Sequence, residues 1–177
     1  ADDYCEALAK AGVMVDRSQR ERLIRSALDS EAQACSASVD CPQALFEELV
    51  DLVEAPRVLS GEIADCYLDL PPEVIVTVMQ SHQRYVPLKR KSAQHDPLAL
   101  QARDALLSKF LLVSNGLDRA DTTIVRGNER VLGARLADAE FFLNVDRKSA
   151  SEVRRDALDR VTFAKGLGSL RDRCERM

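Results

Sequence analysis

The sequence predicts an α+β protein, predominantly helical, with a helical N-terminal group and a small mixed sheet covered by helices. Three observations predict it. Residues 120–143 form the longest stretch with one period: Val125, Leu132, Leu136, Ala139 and Leu143 step by seven, four, three and four, so they share one side of a helix. Residues 109–114 hold a short continuous apolar run, Phe110 to Val113, closed by the turn pair Asn115-Gly116, which reads as a strand. Helical and strand-like segments alternate between residue 56 and residue 116, which favours crossover connections and a partly parallel or mixed sheet.

Taken in order, residues 3–12 read as a short helix with Tyr4, Leu8 and Ala11 on one face, ended by Gly12. Asp16 opens a longer helix to about Cys35, with Leu23, Ile24, Ala27 and Ala34 on its inner side. Residues 36–41 read as a polar loop, and Pro42 as the first turn of a helix over 43–53 faced by Leu45, Phe46, Leu49, Val50 and Val53. Residues 57–61 alternate like a strand, 68–72 turn, and Pro71-Pro72 starts a helix over 73–81 whose β-branched content leaves a strand as the alternative. A short strand over 84–88, a charged loop over 89–97 and a helical patch over 98–107 come next. The organising helix of 120–143 begins at Asp121, which stands where an N-cap would. A helix over 149–158, a last strand or an extended link at 161–163, a break at Gly166 and Gly168, and a last helix over 169–177 complete the reading. Two segments are expected, 1–55 helical and 56–177 α/β, within one continuous fragment of a longer chain.

The chain has 177 residues and a net charge of −4. Residues 1–54 carry twelve acids and five bases, and residues 55–177 carry seventeen acids and twenty bases, so a −7 segment precedes a +3 segment. That positive balance is far short of a dedicated nucleic-acid domain. No run approaches the ~20 apolar residues of a membrane helix. Five cysteines lack any C-x-x-C pairing and only two histidines occur, His82 and His95, so neither a zinc site nor a disulfide framework is expected.

The candidate sites each have a plainer reading. His82-Gln83-Arg84-Tyr85 follows a buried helix and opens a strand, a natural pocket rim where His82 and Arg84 suit a phosphate or a ribose hydroxyl. A satisfied helix end, with His82 near the negative end of the dipole, explains it as well. Lys89, Arg90 and Lys91 suit an RNA backbone, or form an ordinary solvated loop. Arg126, Asn128, Arg130 and Arg135 suit phosphate or carboxylate. The spacings of Arg126 with Glu129 and of Arg135 with Asp138 favour internal ion pairs instead. Asp138 and Glu140 diverge by roughly 200° on a helix and cannot share a substrate proton. Gly166-Leu167-Gly168 lacks the rest of any phosphate-binding motif, and no catalytic grouping, metal quartet or P-loop is present.

The wording of residues 127–142, GNERVLGARLADAEFF, carries more than its period, because burial alone accepts any apolar residue at the inner positions. It resembles a signature of the β subunit of the heterotetrameric bacterial-type glycyl-tRNA synthetase. The matching positions include Asn128, Glu129, Arg130, Arg135, Asp138 and Glu140. The resemblance extends to LPPEVIVTVMQSHQRYVPL at 70–88, FLLVSNG at 110–116 and LGSLRDRCER at 167–176. Gly133 departs from it, standing where the family often has a larger residue, and so does the stretch 89–105. The resemblance implies an α2β2 enzyme that joins glycine to tRNA(Gly) with ATP and Mg²⁺. It implies adenylate chemistry in the α subunit, tRNA recognition in the β subunit, and a cytoplasmic or plastid setting. This stretch would then be non-catalytic, bind no cofactor and touch no membrane, with His82, Arg84, Lys89, Arg90 and Lys91 as its tRNA-facing residues. The alternative is a freestanding helical RNA-binding or protein-interaction module.

Overall fold

A computed structural model describes residues 2–91, 101–116 and 120–177. Their contacts divide the chain into two compact units, Ala1–Ala137 and Asp138–Met177. The N-terminal helices share a core with the strands.

In the first unit, helix α1 (Asp2–Lys10) ends where Gly12 takes a left-handed φ of 81°. Helix α2 (Arg17–Ala34) is capped by Asp16, whose carboxylate accepts the Ser18 amide at 2.8 Å. Its buried residues are Ile24, Leu28 and Ala32; Leu23 and Ala34 face solvent. The inner stripe is thus one strict i, i+4, i+8 row. Ser36, at a φ of 52°, turns the chain into strand β1 (Ala37–Val39), so the polar stretch expected as a loop is an edge strand. Helix α3 (Gln43–Leu52) buries Leu45, Phe46, Leu49 and Val50 as its period predicts. Arg20 ties these helices to the chain between them, donating to the carbonyls of Met14 (2.7 Å), Val15 (2.8 Å) and Val50 (3.1 Å).

Strands β2 (Pro56–Glu62), β3 (Val86–Arg90) and β4 (Leu106–Asn115) join β1 in a sheet of order β1-β3-β4-β2. All three pairings are antiparallel. The α+β class and the small helix-covered sheet agree with the expectation, whereas the sheet is antiparallel where a mixed one was expected. Pro87 has no amide to give a ladder and sits at the register shift between β3 and β4. The alternation along β4 sends Leu111 into a cluster with Ile24, Leu28, Phe46, Val50, Val86 and Leu88. Its neighbour Phe110, also fully buried, points to the opposite face and stacks on Tyr85 at 4.6 Å. A Cβ on Gly61, which pairs with Phe110, would lie 2.5 Å from that ring, so only glycine fits there.

A 3₁₀ turn (Asp65–Asp69) leads to helix α4 (Pro72–Thr77), which runs directly into a π-helical turn (Val78–Gln83). Helix α5 (Ala102–Ala105) precedes β4. The loop expected over 89–97 and the helical patch over 98–107 fall partly outside the described residues; Lys89 and Arg90 belong to β3. Helix α6 (Asp121–Lys148) buries Leu132 and Leu136. Asp121 does not act as its N-cap; its carboxylate pairs with Arg57 of β2.

The second unit comprises the last turns of α6, helix α7 (Ser151–Ala157), a 3₁₀ turn (Leu158–Arg160) and helix α8 (Leu170–Arg176). The extended link at 161–163 makes one bridge, Thr162 to Ser169. Ser169 and Asp172 form a reciprocal capping box: the Ser169 hydroxyl accepts the Asp172 amide at 3.1 Å, and the Asp172 carboxylate accepts the Ser169 amide at 2.7 Å. Gly168, at a φ of 82°, leaves room for that carboxylate. Ser169 is the sole buried residue among the described residues of this unit; no apolar side chain in it is fully buried.

Candidate nucleic-acid interface

The site begins with a winding change. Pro72 fixes the first turn of α4, and the β-branched run Val74, Val76, Thr77 and Val78 weakens regular α winding just where the π turn starts. The widened turn leaves Arg84 in the left-handed region, φ 59° and ψ 30°, a costly conformation for a residue with a Cβ. Side-chain bonds hold it there. Arg84 donates from Nε to Glu48 Oε1 at 2.7 Å and from Nη1 to the Ser81 carbonyl. The carbonyl of Met79 accepts the amides of both Arg84 and Tyr85, the latter at 2.9 Å.

Of the five residues expected to face tRNA, three are engaged within the protein. Arg84 is bonded as described. Lys89 pairs with Asp40 at 3.0 Å across the β1–β3 edge. Arg90 donates from Nε to the carbonyls of Arg103 (2.9 Å) and Leu106 (3.1 Å). His82 and Lys91 are exposed. The five are not gathered into one patch: His82 and Arg84 precede β3, and Lys91 follows it, roughly 20 Å away along an extended strand.

Two residues of the signature bond to the sheet region. Asn128 Oδ1 accepts the Tyr85 hydroxyl at 2.5 Å, and Asn128 Nδ2 donates to the Ile124 carbonyl at 2.7 Å. Glu129 Oε1 accepts the Glu62 amide at the end of β2 at 2.9 Å. Burial raises the Tyr85 phenol above its ordinary pKa, so it stays a hydroxyl donor. Asn128 and Glu129 therefore clasp β3 and β2. The ion pairs expected on this helix do not form. Glu129 is committed to the sheet, and Arg126, Arg130, Arg135, Asp138 and Glu140 are exposed without an ion pair among the described residues. Exposed pairs of that kind gain little to hold two long side chains in place.

Sequence reasoning missed a cavity of about 510 Å³ between β2 and α6. Glu62, Asp65 and Glu129 rim it, Tyr67 and Ser108 add hydroxyls, and Leu132, Gly133 and Leu136 form its floor. Gly133, the departure from the family wording, leaves space there: a Cβ would meet no atom within 4 Å. Cys35, Cys41, Cys66 and Cys174 are free thiols. Cys41 is pushed up to about 11, first by burial and then by Asp40, which makes it a poor nucleophile.

With this geometry in place, a family description, glycyl-tRNA synthetase beta subunit, matches residues 1–177. The chain belongs to the glycyl-tRNA synthetase β-subunit family. Among its relatives are the glycine–tRNA ligase beta subunits of Pseudoalteromonas translucida, 37% identical over 177 residues, and of Natranaerobius thermophilus, also 37% over 177. Each covers 100% of this chain and 24% of the relative. That of Acidithiobacillus ferrooxidans is 38% identical over 174 residues, covering 98% of this chain and 24% of the relative. The chain thus spans about a quarter of the length of the curated relatives it matches. In this chain, Asn128 and Glu129 of the signature have a structural role.

Proposed function

We propose that the chain acts as part of the β subunit of a glycine–tRNA ligase, supporting recognition of tRNA(Gly) and the ATP-dependent attachment of glycine. The observation that carries this reading is the family match over all 177 residues, with relatives named as that ligase's beta subunit. On this reading glycine, ATP and Mg²⁺ are handled by an α subunit in an α2β2 assembly in the cytoplasm or a plastid, and this stretch contributes scaffold and RNA contacts without chemistry of its own. No helix of the described residues is long and apolar enough to cross a membrane.

His82, Lys89, Arg90 and Lys91 are the exposed members of the tRNA-facing set, and Arg84, Lys89 and Arg90 contribute both charge and support. The test is a salt titration of tRNA(Gly) binding by the complete subunit with its α partner. Lys91→Gln is expected to weaken binding and lower the slope of log K against log salt by roughly one per phosphate lost. Arg84→Ala is expected to weaken binding and also to lower the melting temperature. Unchanged affinity and slope in both variants would remove RNA contact from both positions. Glycine activation by the 177-residue chain alone is expected to be undetectable in pyrophosphate exchange.

A further inference from the structure

The second unit holds forty residues, 138–177, and buries no apolar side chain completely. A unit of that size without a core, disulfide or metal does not repay the conformational entropy of its own ordering. Its apolar residues are nonetheless present and face outward. Phe141 and Phe142 are 63% and 64% exposed, and Val145 is 47% exposed. On α6 these three are neighbours at i, i+3 and i, i+4 spacing. The two rings meet edge-to-face at 5.5 Å, and each is the other's only ring partner among the described residues. Together they expose on the order of 300 Å² of apolar surface, the scale at which a patch marks an interaction site.

We infer that this aromatic patch of α6 is the seat of another segment of the same β subunit, docked in cis. Two observations select that occupant. About three quarters of each relative lies outside the matched stretch, so polypeptide to supply a cover belongs to the subunit itself. Nor does the stretch offer RNA an excess of cations: residues 138–148 hold Asp138, Glu140 and Asp146 against Arg147 and Lys148, and Asp146 is paired with Arg154 at 3.2 Å. A cover in the same chain, at high effective concentration, keeps a Phe pair from ever facing solvent in the folded subunit; a separate partner leaves it open whenever the subunits part. The inference needs only the family membership and stands whether or not tRNA touches the His82–Lys91 face.

Hydrogen exchange tests it, comparing the 177-residue chain with the product of the complete reading frame that contains it, without α subunit or tRNA. Amides of residues 139–148 are expected to exchange at least ~100-fold more slowly in the complete subunit, with those around Leu132 and Leu136 protected in both. Phe142→Asp in the complete subunit is expected to abolish the added protection at 139–148 while sparing the Leu132–Leu136 segment. Protection that appears only with the α subunit, only with tRNA, or only at rising protein concentration overturns the inference. So does a reading frame that adds no further chain.

Discussion

The two ends of α6 differ in everything but backbone. Toward its start, Asn128 and Glu129 bond to the sheet, and Leu132 and Leu136 are shut away from water. A turn and a half later, Phe141 and Phe142 lie open. The same winding and a comparable supply of apolar residues give opposite burial. Periodicity decides which residues share a face; it does not supply the surface that covers them. In the first unit that surface is a sheet whose strands come from distant parts of the chain. In the second, within these residues, no such surface exists.

The sharpest way to break the comparison is to truncate both ends. Leu136→Ala is expected to destabilise by about 3 kcal/mol, through lost transfer energy and a cavity. Phe142→Ala is expected to change the stability of the same chain, measured by urea unfolding, by less than ~0.5 kcal/mol, as at an exposed site. Equal losses would mean that the far end of the helix is covered after all. Next comes the clasp. Tyr85→Phe keeps the ring on Phe110 but leaves Asn128 Oδ1 short of a donor, and a loss of about 1–1.5 kcal/mol is expected. A double-mutant cycle with Asn128→Ala checks that the two effects are shared.

The second unit is held by its caps, so its weak points are polar. Ser169→Ala is expected to cost the α8 segment about 1 kcal/mol, read as lost amide protection over 170–176. The same contact predicts an acid limit. The Ser169 backbone amide, then its hydroxyl, hold the Asp172 carboxylate below its ordinary pKa of 3.8. Its contribution is therefore complete above that value and is lost as the pH falls through the depressed folded one. Protection of 170–176 should accordingly fade in strong acid, and Asp172→Asn should remove the pH dependence. The last effect expected is a gain. Gly133→Ala adds a Cβ that meets nothing and should stabilise the first unit by about 0.5–1 kcal/mol while narrowing the cavity.

Local signals were legible in the sequence. The period of α3 named its buried residues, Gly12 ended α1, and the Phe110–Val113 run marked β4. What depended on distant partners was not. Strand β1 is three residues long and two-thirds serine and alanine, so nothing in Ala37-Ser38-Val39 announces a strand until β3 lies beside it. The antiparallel order was hidden because β2 and β4 are neighbours in the sheet but not in the chain. Glu129 looked like a partner for Arg126 because helical spacing is visible, whereas the amide of Glu62 is 67 residues away. The candidate site was readable in the same degree: its residue types stood out, while the commitment of Arg84, Lys89 and Arg90 to internal acceptors required the fold.

The extra residue wound into the turn at Val78–Gln83 sets the rotational phase of strand β3. Excise one position there and ordinary winding returns, but the chain after the turn rotates by about 100°. Tyr85 would then swing away from both Phe110 and Asn128, and β3 would enter the sheet showing its wrong side. A one-codon deletion in this short run is thus equivalent to unlatching the signature helix, although the helix itself is left untouched.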